Sequence, residues 1–118
     1  MKKFVLFILA VSMFCETAAA REWYEGGTLH RATVEQYLTG ESADVLATTA
    51  DWICSTVSDS EIQKLTMDDV KAASGAVAMC IITATEGMTD MYGQKAGDMA
   101  ILCMTQLKKD YPWLLTNY

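Results

Sequence analysis

Apolar and polar positions along this chain recur at helical spacing. From Thr33, a capping box formed with Gln36 opens a short helix that Gly40 ends. A second helix is expected from Ser42 to about Val57, because apolar residues recur there three and four positions apart. The predicted apolar stripe of this second helix comprises Leu46, Ala50, Ile53 and Val57, with Cys54 beside it.

Two further segments continue the helical pattern. Thr66 and Asp69 form a second capping box, and the third helix that they open runs until Gly87. Its predicted inner face comprises Val70, Ala73, Val77, Cys80, Ile81 and Ala84. A fourth helix is expected from about Gln94 to Lys109. Its predicted inner face comprises Ala96, Met99, Ala100, Cys103 and Leu107.

The overall pattern predicts an all-α fold. No segment shows the sustained alternation and β-branched content of a sheet. We expect a small bundle of one short and three longer helices, formed by residues 21–118 as a single domain. Pro112 should end regular helix near Tyr111, and the apolar residues 113–118 should fold back on the bundle.

The N-terminus has the composition of an export signal. Two lysines at positions 2 and 3 precede an apolar run over residues 4–14, and three alanines at positions 18–20 form a cleavage site. A permanent membrane span needs about 20 apolar residues. We therefore predict that residues 1–20 are a signal peptide, that the mature chain begins at Arg21, and that it is periplasmic or secreted. Cys15 follows the bulky Phe14, so no lipid anchor is expected.

The charge balance restricts the choice of partners. Removing residues 1–20 removes two lysines and one glutamate, which leaves seven basic residues against fourteen acidic ones. An acidic chain is repelled by phosphate backbones and by anionic membranes. The sequence therefore argues against nucleic acid as a partner. A protein partner is expected, and a homodimer is compatible with the sequence.

Three cysteines remain after residue 20, and their positions predict one disulfide. Cys80 and Cys103 stand about 7 and about 9 residues from the connection between the third and fourth helices, or roughly 10 and 14 Å along antiparallel helices. They are therefore nearly level, as a disulfide requires. We predict that Cys80 bonds Cys103 and that Cys54 is buried as a small hydrophobe. Cys54 with Cys103 is the alternative pairing.

The sequence contains no arrangement that indicates catalysis. His30 is the one histidine, and no nucleophile motif accompanies it. Asp68 and Asp69 are adjacent on a helix, so their side chains point about 100° apart and do not flank one bond. We expect no enzymatic activity, no catalytic residues and no cofactor. A zinc site is not expected either, because the chain has too few ordinary ligands.

Methionines and aromatic residues are the candidates for contact with partners. The residues we favour for partner binding are Trp23, Tyr24, Met88, Met91 and Trp113. An alternative use for Met88, Met91 and Met99 is capture of Cu(I) by soft sulfur ligands. Packing in an alanine-rich core is the more common role of methionine, and we expect it for most of these side chains.

Two segments carry a resemblance to known proteins. Residues 23–30 (WYEGGTLH) and 46–52 (LATTADW) resemble an opening shared by small, exported, uncharacterised proteobacterial helical proteins. In such proteins the position of Thr49 is typically cysteine, paired with a cysteine like Cys80. This chain departs there, and Cys103 becomes the substitute partner. The general plan is also similar to periplasmic acid-stress chaperones of the HdeA type and to Rap/Tai immunity proteins of type VI secretion.

These observations predict a periplasmic, non-enzymatic protein that binds other proteins. An acid-stress chaperone of the HdeA type is the first hypothesis within that class. An immunity-type inhibitor of a secreted toxin is the second. Binding of a small ligand or of Cu(I) is the alternative from a different class.

Overall fold

A computed structural model describes residues 26–118. The helices are α1 (Val34–Leu38), α2 (Ser42–Ser55), α3 (Asp59–Ile62), α4 (Met67–Thr85) and α5 (Ala96–Leu107), with a single 3₁₀ turn at Thr89–Met91. Within the described range the fold is all-α, as the periodicity predicts. The predicted signal peptide, Trp23 and Tyr24 lie outside the described residues.

Both predicted capping boxes are present. Before α1, the Gln36 amide donates to Thr33 Oγ1 at 3.3 Å, and the Thr33 amide donates to Gln36 Oε1 at 3.0 Å. Before α4, Thr66 and Asp69 exchange the same two bonds at 2.9 and 3.1 Å. These bonds satisfy amide groups that have no partner inside the helix, and they set where each helix begins.

The end of the second helix differs from the prediction. Helix α2 ends at Ser55 rather than near Val57, and it is followed by the short α3, which was not among the predicted helices. Thr56 is the cause, since both its amide and its hydroxyl bond to the carbonyl of Ile53. Side-chain bonds of threonine to a nearby carbonyl compete with the helical pattern.

The core lies between α2, α4 and α5. Its largest fully buried apolar side chains are Tyr37, Ile53, Ile81, Met104, Leu114, Val34 and Val77. Helix α4 packs against both α2 and α5, so it is the central element of the bundle. One predicted inner-face residue is exposed: Ala84, whose neighbour Thr85 is buried instead. The remaining predicted inner-face residues are buried or half-buried, and the half-buried ones are Leu46, Val70, Cys80, Met99 and Leu107.

The predicted disulfide joins α4 to α5. Cys80 and Cys103 are bonded, with their Cα atoms 5.9 Å apart, and they are separated by 23 positions in the sequence. Closing a loop of this size stabilises a fold by roughly 3 kcal/mol in the chain-entropy model.

The C-terminal segment folds back on the bundle, as its apolar composition predicts. Leu114 is fully buried. The Asn117 amide donates to the Thr56 carbonyl at 2.8 Å, and the Ser58 amide donates to Thr116 Oγ1 at 2.9 Å. We call residues 113–118 the tail. Within residues 26–118, no helix combines the length and apolar character needed to cross a membrane.

Candidate functional site

An extended segment at the start of the described chain lies along α2. We call residues 26–30 the strap. The strap is bonded to the side chains of Asp44, Thr48 and Asp51. These three positions are spaced by four and three residues, so they fall on one face of the helix. The strap therefore covers a polar stripe of α2.

Two carboxylates accept most of the bonds from the strap. Asp44 Oδ1 accepts the Thr28 amide at 2.7 Å, and Asp44 Oδ2 accepts the Thr28 hydroxyl. Asp51 Oδ2 accepts the Gly27 amide at 2.9 Å and lies 2.7 Å from His30 Nε2. Bonds to an ionised acceptor are stronger than bonds between neutral groups.

The strap approaches α2 too closely for a side chain at position 27. A Cβ added to Gly27 would lie 1.9 Å from Thr48 Oγ1 and 2.4 Å from the Thr48 amide nitrogen. Gly26 adopts φ +94°, a conformation that favours glycine. The Leu29 amide donates to Thr48 Oγ1 at 3.1 Å. The two glycines of the strap are therefore required by its conformation and by its contact with α2.

The ion pair between His30 and Asp51 is exposed to solvent. Relative exposures of 46% for the His30 side chain and 39% for that of Asp51 place both in contact with water. Exposed pairs of this kind contribute little to stability by themselves. The pair therefore acts with the other bonds of the strap rather than as an independent anchor.

Cys54 is exposed, so the prediction that it is buried is wrong. Ile53 occupies the buried position at the end of α2, and the next residue is turned about 100° away from it. Part of the side chain is in contact with solvent, but the surrounding protein removes enough water from the sulfur to disfavour the thiolate. Burial, with a smaller effect from the negative charge of Asp51, raises the pKa of Cys54 to about 11.

Tyr37 and Thr49 form a buried polar contact between α1 and α2. The Tyr37 hydroxyl lies 2.6 Å from Thr49 Oγ1, and Thr49 Oγ1 also donates to the Val45 carbonyl at 2.6 Å. Burial raises the pKa of Tyr37 to about 12, although the bond to Thr49 acts in the opposite direction. Thr49, which occupies the position expected to be cysteine from the resemblance, here connects two helices through hydroxyl groups.

An apolar groove of about 350 Å³ lies between the α1–α2 corner and α4. Leu38 and Leu46 line one wall, and Ala78, Met79 and Ile82 line the other. Small residues create the gap: Gly40 and Gly75 also line it, and a Cβ added to Gly75 would meet no atom within 4 Å. The Met79 side chain, 59% exposed, stands at the groove with most of its surface in solvent.

The groove and the strap are neighbours. A Cβ added to Gly40 would lie 2.8 Å from Leu29 Cδ1 and 3.2 Å from Val45 Cγ2. Leu29 belongs to the strap, whereas Gly40 and Val45 line the groove. The Leu29 side chain of the strap therefore lies beside one edge of the groove.

The candidate partner-binding residues occupy different environments. Met88 is exposed at 48%, whereas Met91 and Trp113 are half-buried. Trp113 packs against the core and stacks edge to face with Tyr111, with ring centroids 6.1 Å apart. The other large apolar side chains that are exposed in the described range are Ile62, Met67, Met79, Leu102 and Tyr118. Partner binding by the five favoured residues stays a prediction.

The described residues contain no metal-binding cluster of ionisable side chains. Between residues 26 and 118, no group of three or more histidine, cysteine, aspartate or glutamate side chains is placed to hold a metal ion. Capture of Cu(I) would use methionine sulfur instead, and it stays a prediction.

The sequence interpretation missed the role of Asp44, Thr48 and Asp51. A signal for it was present, because α2 contains two charged residues, and both lie on one face with a threonine between them. Charged residues confined to one stripe of a helix that is otherwise uncharged indicate a specific polar contact. What the sequence did not supply was the partner of that stripe.

Comparisons with known proteins return no relative: neither a protein-family model, nor a curated protein, nor a solved structure matches this chain.

Proposed function

We propose that this chain is an exported, non-enzymatic protein that binds apolar segments of other polypeptides and protects them under acid stress. The observation that carries the proposal is the apolar groove between the α1–α2 corner and α4. The export signal over residues 1–20 and the Cys80–Cys103 disulfide support a role outside the cytoplasm.

The lining of the groove favours a polypeptide over a small polar ligand. Sites for small ligands usually combine apolar walls with a few polar groups that fix the orientation of the ligand. The polar side chains that line this groove are Tyr37 and Ser42, and the Tyr37 hydroxyl is already bonded to Thr49. Its walls are mainly aliphatic, and the flexible Met79 side chain adapts to differently shaped apolar groups.

The charge balance supports a role at low pH. Seven basic residues face fourteen acidic ones after residue 20. Carboxylates take up protons as the pH falls through about 4, so the net charge of the chain changes from negative to strongly positive. Self-repulsion then favours looser attachment of peripheral segments, which exposes more apolar surface to client proteins, while the helices stay folded and the disulfide keeps α4 and α5 together.

The direct test is suppression of client aggregation. Light scattering of unrelated periplasmic proteins is measured at pH 2 to 3, and again after return to pH 7, with and without this protein. We expect less scattering in its presence. Gly75→Leu should abolish much of this protection because the new side chain fills the groove.

The matched control is Ala84→Leu, which adds the same side chain at an exposed position on the opposite face of α4. It should leave protection unchanged. Equal protection by the Gly75→Leu and Ala84→Leu variants would exclude the groove as the client site. No protection by the unmodified protein, together with tight binding of one partner at neutral pH, would instead identify an immunity-type inhibitor.

A further inference from the structure

We infer that the strap is an acid-released device: protonation of Asp44 and Asp51 detaches residues 26–30 from α2 while the helical bundle stays folded. The use of this release, to extend the apolar groove, rests on the proposed function. The release itself does not, because it follows from the contacts between the strap and α2.

The attachment of the strap depends on carboxylates. In the described range, five hydrogen bonds or ion pairs join residues 27–30 to α2, and four of them end on Asp44 or Asp51. The fifth ends on Thr48 Oγ1. Asp44 and Asp51 are also the two charged side chains within α2. All the formal charge of this helix therefore lies in the contact with the strap.

Protonation weakens each of these contacts. An ionised carboxylate accepts hydrogen bonds about twice as strongly as a neutral acceptor. A neutral Asp51 also loses its electrostatic attraction to the His30 side chain. The strap then keeps one unweakened bond, to Thr48, and four weakened ones. These bonds must outweigh the conformational entropy that the segment gains when it detaches.

The surrounding charges act in the same direction. On the strap side, His30 and the adjacent Arg31 are the basic groups. Near Asp51 on α2 lies Cys54, whose thiol is uncharged in acid, as any thiol is. Other ionisable residues near the ends of α1, α2, α4 and α5 include Glu35, Glu41, Asp68, Asp69, Glu86, Lys95, Asp98 and Lys108. In acid the strap side is positive and α2 is neutral, so their mutual attraction disappears.

Release of the strap would change the groove. Leu29, which is half-buried against the core, lies close to Gly40, which lines the groove. Movement of Leu29 away from α2 would expose the core surface that it now covers, beside the groove. The strap thus covers apolar surface at neutral pH and uncovers it in acid.

Amide hydrogen exchange tests the release on the full exported protein. The amides of Gly27, Thr28 and Leu29 each donate to a side chain of α2, so their protection factors report attachment of the strap. We expect protection at these amides to fall about 10-fold or more between pH 6 and pH 3, relative to amides in α4. The Asp44→Asn/Asp51→Asn double variant should show the low protection already at pH 6.

The control is Asp90→Asn, which neutralises an exposed carboxylate outside α2 and the strap. It should behave like the unmodified protein. Strap protection that is equal at pH 6 and pH 3 would overturn the inference, and so would loss of strap and α4 protection together. If the strap is released but clients are not protected, the device stands and the proposed function fails. If clients are protected while the strap stays attached, the proposed function stands and the acid release of the strap is wrong.

Discussion

The strap and the tail, at the two ends of the described chain, both bind at α2, but through different kinds of contact. The strap lies on the polar stripe at positions 44, 48 and 51, and its bonds end mainly on carboxylates. The tail binds beyond the other end of α2, where the Thr56 carbonyl accepts the Asn117 amide. Leu114 of the tail is fully buried, whereas Leu29 of the strap is half-buried.

Apolar packing holds the tail, whereas charged hydrogen-bond acceptors hold the strap. The tail is fixed by apolar burial and by acceptors that remain unchanged in acid, including the carbonyls of Pro112 and Leu114 that accept from Lys108. The strap has little apolar burial and depends on ionised acceptors. Removal of apolar volume should therefore weaken the tail, whereas removal of negative charge should weaken the strap.

Truncation of the tail anchor should have the largest effect on stability. Leu114→Ala removes a fully buried side chain, so we expect the free energy of unfolding to fall by about 2–5 kcal/mol. Urea denaturation followed by circular dichroism measures this loss. Leu102→Ala, at a position that is 56% exposed, is the control and should change the stability by no more than about 0.5 kcal/mol. Equal losses in the two variants would show that the tail does not contribute to the core.

The environment of Cys54 gives a second test, next to the strap anchor Asp51. Because its pKa is raised to about 11, the thiol holds roughly 100-fold less thiolate at pH 8 than an ordinary cysteine. We expect alkylation by iodoacetamide at pH 8 to be slower than in urea by about that factor.

Asp51→Asn sharpens the same test. The negative charge of Asp51 contributes to the raised pKa of Cys54, so the variant should be alkylated faster than the unmodified protein. Asp90→Asn should have no effect on the rate. If native and denatured protein react equally fast, the sulfur is solvated and the shielding described above is wrong.

Substitution of Gly27 should detach the strap without affecting the tail. In Gly27→Ala, the new methyl group would overlap Thr48, so the strap must move away from α2. We expect the amides of Thr28 and Leu29 to exchange about 10-fold faster or more, with a loss of about 1–2 kcal/mol in stability.

The tail and an open glycine provide the controls for this substitution. The Asn117 amide, which donates to Thr56, should keep its protection. Gly93→Ala, where an added Cβ would meet nothing within 4 Å, should leave the exchange of the strap unchanged. Normal strap protection in Gly27→Ala would mean that the close approach to Thr48 is not needed.

The smallest effect is expected in the core that both segments share. The Ser74 hydroxyl is fully buried and has no hydrogen-bond partner. Ser74→Ala should therefore leave the stability unchanged or raise it by up to about 1 kcal/mol. Thr49→Val is the contrasting variant and should be destabilising, because it removes the partner of Tyr37. A clear loss of stability in Ser74→Ala would reveal a bond that the structure does not contain.

Local features were predicted well from the sequence. Thr33 and Thr66 cap helices because the partners of their side chains lie three residues away, within reach of any helical turn. The pairing of Cys80 with Cys103 followed from helical rise and the length of one connection. Helix α3 was missed, since the hydroxyl of Thr56 decides where α2 ends. The exposure of Cys54 was missed because Ile53, one position earlier, occupies the buried face of α2.

The sequence alone determined α1 and the three longer helices, where most of them begin and which cysteine pairing is favoured, because these depend on contacts a few residues apart or on regular geometry. The tertiary structure decided the contact of the strap with α2 and the shape of the groove. The strap bonds join residues 16 to 24 positions apart, and the groove arises where small residues of separate helices meet. Neither contact leaves a periodic pattern in the sequence, so only the packed chain identifies the partners of Asp44 and Asp51.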